Sequence, residues 1–135
     1  MTLVSPRHWL AFALLHVVPM LAACGPSIGN TRPDSQAEVA RTIDIAVTEI
    51  VKARCGLEER CSTVGPGRRF ESRAACASKM HGETAQHLNL ADCPLGVEGR
   101  KLDACVSSIS AQDCGNVFDV LNRWNDCRNG QICYN

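Results

Sequence analysis

Four groupings of residues in this 135-residue chain have types that could do chemistry. His81-Gly82-Glu83 has the His-x-Glu form in which a histidine holds a hydrolytic zinc and a glutamate moves protons. That chemistry also needs a Pro-Cys-x-x-Cys pair. Here Cys93 precedes Pro94, and no cysteine follows three residues on, so the triplet reads as a stretch of exposed helix. His87 stands six positions from His81, on the opposite side of a helix rather than on the i, i+4 face of a metal pair. The second grouping is Arg68, Arg69 and Arg73. A helix starting near Glu71 or Ser72 would aim free N–H groups and its dipole at the same place, giving an anion or phosphate pocket. The competing reading is a solvated loop whose arginines pair with Glu58, Glu59 or Glu71. The third is a serine nucleophile, but Ser62, Ser72, Ser107, Ser108 and Ser110 lie in no Gly-x-Ser-x-Gly or Ser-x-x-Lys setting. The fourth is cysteine redox or metal chemistry, and no Cys-x-x-Cys occurs anywhere. No catalytic residue, metal site or cofactor is therefore expected.

The remaining chemistry is that of sulfur in an exported protein. An apolar run from Trp9 to Ala23 follows Arg7 and ends in small residues, the layout of a secretory signal. The run is too short for a membrane span, which takes about 20 apolar residues, and His16 and Pro19 interrupt it. An uncleaved anchor and a soluble secretory signal are the alternatives. Leu21-Ala22-Ala23-Cys24 resembles a bacterial lipobox. The resemblance implies that residues 1–23 are removed and that Cys24, now first, carries a diacylglyceryl group with further acylation. It also implies the membrane as partner and, because Gly25 rather than Asp follows, the outer membrane as location.

Cys24 thus accounts for the odd cysteine of nine. Cys55, Cys61, Cys76, Cys93, Cys105, Cys114, Cys127 and Cys133 remain, an even set in an oxidising compartment, and four disulfides are expected. Each should contribute about 2–4 kcal/mol. Eight cysteines allow about a hundred pairings. The one expectation here is that Cys76 joins Cys55 or Cys61 through a short loop. Removal of the leader takes away Arg7 and no acid, so the net charge moves from zero to minus one. That balance makes no case for a nucleic-acid partner. With few aromatics left (Phe70, Phe118, Trp124, Tyr134), the core is poor in large side chains and depends on cross-links.

The elements that position these residues read as helices. Residues 24–34 hold turn formers and predict a flexible tether, and residues 35–135 one cysteine-rich domain. Ser35 and Glu38 form a capping box. Val39, Ile43, Ala46, Val47 and Ile50 make an apolar stripe, and Gly56 is expected to stop this helix after Cys55. Gly65-Pro66-Gly67 marks a loop. A second helix is predicted from Glu71 or Ser72 to about Asn89, a third from Glu98 to Ser110, and a fourth from Val117 to about Cys127. Strand-like alternation is absent, so the fold class is all-α: a disulfide-stapled bundle of about four helices.

Arg60-Cys61-Ser62-Thr63-Val64-Gly65-Pro66-Gly67-Arg68-Arg69-Phe70-Glu71-Ser72-Arg73, followed by Cys76, resembles the signature of a family of uncharacterised cysteine-rich lipoproteins of soil myxobacteria, some labelled natural-product-biosynthesis lipoproteins. Asp92-Cys93-Pro94-Leu95-Gly96-Val97 and Asp113-Cys114-Gly115-Asn116-Val117-Phe118 resemble its middle and late motifs. The resemblance brings no catalytic residues with it. The expected function is a binding or scaffolding module at the cell envelope with an envelope protein as partner. The alternative is an accessory enzyme or carrier for an exported natural product. That would require a deep pocket with polar groups converging around His81, His87, Arg68 or Trp124.

Overall fold

The structure is a computed structural model that describes residues 27–115, 127 and 129–135. Three long helices carry it: α1 (Gln36–Arg60), α2 (Arg73–His87) and α3 (Gly99–Ser110), with a single-turn helix α4 (Asn129–Ile132) near the end. The described residues thus hold three long helices rather than about four. The fourth predicted helix, Val117 to about Cys127, lies outside the described residues except for Cys127, which sits in a turn. No strand forms among the described residues. The extended contacts are single bridges, Val64 with Phe70 and Val97 with Cys133.

α1 is the axis against which α2 and α3 pack. Its start is capped as its sequence requires. Ser35 Oγ accepts from the Glu38 N–H at 3.2 Å, and the Glu38 carboxylate accepts from the Asp34 N–H at 3.2 Å, one residue before the usual box partner. Its stripe of Val39, Ile43, Ala46, Val47, Ile50 and Val51 is buried. The helix does not stop after Cys55: it runs through Gly56 to Arg60. Glycine within a helix costs about 0.5–1 kcal/mol. The next residue, Leu57, resumes the buried face, and burying a leucine contributes about 1.5–3 kcal/mol. The second term wins, and the helix closes only where the Cys61 N–H reaches the Leu57 carbonyl at 2.9 Å.

α2 begins at the expected place. Ser72 caps it by accepting from the Ala75 N–H at 3.1 Å, and Cys76, Met80 and Thr84 form its buried face. At its exit the Asn89 side chain accepts from the Ala91 and Asp92 N–H groups, turning the chain towards Cys93. α3 buries Leu102, Cys105 and Ile109 at helical spacing, also as expected. The four cross-links join Cys55 to Cys76, Cys61 to Cys114, Cys93 to Cys133 and Cys105 to Cys127. Cys76 therefore takes the first of its two expected partners. Cys55, Cys76, Cys93 and Cys105 are fully buried, so sulfur fills core volume that larger side chains would otherwise occupy.

The loop between α2 and α3 meets α1 at one point of close approach. Gly96 has φ +84°, a left-handed conformation, and a methyl group there would lie 2.7 Å from Thr42 Oγ1 and 3.0 Å from Pro33 Cγ. Thr42 is a buried polar residue with both roles filled. Its hydroxyl donates to the Val39 carbonyl at 2.8 Å and accepts from the Val97 N–H at 3.1 Å. The chain end is stitched onto the same loop. The Glu98 N–H donates to the Ile132 carbonyl and the Tyr134 N–H to the Gly96 carbonyl, at 2.9 and 3.0 Å.

Candidate functional site

A surface groove of about 450 Å³ lies between α1 and α2. Its floor is Val51, Ala77 and the Cys55 end of the Cys55–Cys76 bridge. Its rim is Thr48, Lys52, Arg73, Ser78 and His81, all exposed. The geometry follows from two helical series. Thr48, Val51, Lys52 and Cys55 share one face of α1, and Arg73, Ala77 and His81, spaced by four, share one face of α2. Two rim residues, Lys52 and Arg73, are cationic, and no carboxylate lines the groove among the described residues. Both already have acidic neighbours. Lys52 lies 3.8 Å from Glu49, and Arg73 pairs with Glu59. Both pairs are largely exposed and so weak. The groove offers an apolar floor and exchangeable positive charge. His81 forms no hydrogen bond with Ser78 or Thr48, so the rim holds no coupled nucleophile and base.

The arginine loop is built by the Val64–Phe70 bridge. The Gly65 N–H donates to the Phe70 carbonyl at 2.8 Å and the Phe70 N–H to Thr63 at 3.1 Å. This closure inserts Phe70 into the core and leaves the three arginines outside. Arg69 bonds the Glu58 carboxylate at 2.9 Å, and its guanidinium lies 5.0 Å from the centre of the Phe70 ring. Arg73 is held by Glu59, whereas Arg68 has no partner among the described residues. Two of the three arginines make ion pairs of the kind that the loop reading expects. Glu58 and Glu59 are available for this because α1 continues past Gly56.

The other candidates are scattered. His81, Gly82 and Glu83 are exposed on α2, and His87 is exposed at its end, away from the groove. No cluster of three or more His, Cys, Asp or Glu that could hold a metal occurs among the described residues. Of the residues named for a deep pocket that are described, His81 lines the groove, and His87 and Arg68 do not. Trp124 and Cys24 lie outside the described residues. No described helix is long and apolar enough to cross a membrane. Lys52, Thr48 and Ser78 were not among the sequence candidates. The shared spacing of Thr48-Lys52-Cys55 with Arg73-Ala77-His81 was the signal that could have found them.

Four disulfides in so small a domain belong to an oxidising, exported environment. No curated protein and no solved structure matches the chain. A family model does match, over residues 55–135, from the buried Cys55 at the groove floor through the last disulfide. The chain thus belongs to the family of unknown function DUF6184.

Proposed function

We propose that the chain is an envelope lipoprotein of the outer membrane. Its disulfide-locked helical domain serves as a binding or scaffolding module, held at the surface by lipid on Cys24. The observation that carries this reading is the division of the cysteines. Four bridges use all eight that follow Cys24, and the ninth stands directly behind Leu21-Ala22-Ala23. In the modification, Cys24 Sγ exchanges its thiol proton for the diacylglyceryl group of a phospholipid, whose phosphorylated headgroup leaves with that proton. Water then cleaves the Ala23–Cys24 peptide bond. One acyl chain binds a bilayer reversibly and two or more hold firmly, so the anchor is stable.

The motifs running from Arg60 to Arg73 and from Asp92 to Val97 further support placing the chain among the cysteine-rich myxobacterial lipoproteins. A rigid body with its arginine loop and cation-rimmed groove exposed suits contact with another envelope component rather than enclosure of a substrate. The test is expression of the full chain in a bacterium with two membranes, followed by fractionation. The expected product sediments with outer membranes, and Cys24→Ser shifts it to the soluble fraction. Outer-membrane recovery unaffected by Cys24→Ser would refute the anchor.

A further inference from the structure

The segment after Cys24 meets the folded domain much earlier than its composition suggests. Ile28 is half-buried and packs against the core cluster. The chain crosses the start of α3 so closely that a methyl group on Gly99 would lie 2.5 Å from the Ile28 carbonyl oxygen and 3.2 Å from both the Gly29 carbonyl and Asn30 Oδ1. Pro33 then lies over Gly96, and the Asp34 N–H bonds Glu38. Docking therefore runs from Ile28 into α1. If residues 24–34 were all free, they could reach about 35 Å; with Ile28 docked, the link from Cys24 spans at most about 14 Å.

We infer that the domain is held upright and close to the lipid surface. The face made by Ile28, Pro33 and the starts of α1 and α3 lies against the bilayer, and the Arg68 loop is presented outward. This rests on the lipid-anchor reading above. α1 rises about 36 Å from Gln36 to Arg60, so its two ends are well separated relative to the link. Charge at the near end is balanced. Arg32, Arg100 and Lys101 stand among Asp34, Glu38 and Glu98, and Glu98 pairs with both Arg100 and Lys101. Proximity there comes from the covalent link and not from attraction to anionic lipid. The outward surface is then the loop after α1, with Arg68 unpartnered at its tip, and the cation-rimmed groove beside it. Both suit a partner bearing acidic groups that approaches from the side away from the membrane.

The test places the lipidated full chain in phosphatidylcholine vesicles doped with dansyl-labelled phosphatidylethanolamine, which accepts tryptophan emission at the surface. Arg32→Trp and Arg68→Trp are both exposed substitutions, and neither residue has a partner among the described residues. Transfer is read as the increment over the unsubstituted chain. Arg32→Trp should transfer at least threefold more than Arg68→Trp. Ten Gly/Ser residues inserted after Gly25 should abolish the difference. A lipidated product with equal transfer at the two sites overturns the inference alone. A product whose mass lacks lipid overturns the anchor reading and the inference with it.

Discussion

Replacing Gly96 by alanine probes the contact that fixes the α2–α3 loop on α1. Two costs arise at once. The backbone sits at φ +84°, where an L-residue pays about 1–2 kcal/mol. The new methyl group would also lie 2.7 Å from Thr42 Oγ1, an atom that cannot simply rotate away because it serves Val39 and Val97 together. Moving it leaves the buried Val97 N–H without an acceptor, worth about 1–3 kcal/mol. Gly96→Ala should therefore destabilise the oxidised chain by about 2–5 kcal/mol. Thr42→Ala alone should cost about 1–3 kcal/mol through the same orphaned N–H. In the double variant the clash with Oγ1 is gone, the Pro33 contact and the backbone cost remain as in Gly96→Ala, and the N–H is orphaned only once, so the sum of the single costs should exceed the double by about 1–3 kcal/mol. Urea unfolding with all four bridges intact measures each value. Additivity within about 0.5 kcal/mol would refute the claim that Gly96 is required by Thr42.

The other expectations concern the cross-links, the loop and the docked segment. Cys61 and Cys114 are not buried and close a 53-residue separation, so Cys61→Ser with Cys114→Ser should cost about 4 kcal/mol by loop entropy with little packing lost. A melting temperature equal to the parent's would contradict that. Glu58 is only 12% exposed and holds Arg69, whereas Glu59 is 36% exposed and holds Arg73. Glu58→Ala should cost about 1–2 kcal/mol and Glu59→Ala less than about 1 kcal/mol, and denaturant midpoints in the reverse order would be inconsistent with the two environments. Gly99→Ala should expel the segment from Ile28 to Asn30. Hydrogen exchange there should accelerate at least tenfold while α1 and α2 stay protected, and unchanged exchange would mean the segment is not docked.

The long helices and their faces were legible in the sequence because the apolar spacing and the Ser35 and Ser72 caps agree with the packing that results. Gly56 does not stop α1 because local propensity competes with burial, and the very next residue, Leu57, is buried. The pairing of the cysteines was open because it depends on where α3 and the chain end sit in space. Only the short Cys55–Cys76 loop could be anticipated. The groove escaped notice for a related reason: its residues are unremarkable within each helix and acquire meaning only when α1 and α2 lie side by side. The docking of Ile28 is a tertiary override of a composition rich in turn formers.

Nine sulfur atoms divide between lipid and cross-links, and intact mass spectrometry of the protein extracted from envelopes, with and without alkylation, reads both roles at once. The chain should begin at Cys24, carry diacylglyceryl and acyl mass, and gain no alkyl groups until reduced, after which it gains eight. A product that keeps residues 1–23, or one that alkylates among Cys55 to Cys133 before reduction, would contradict it.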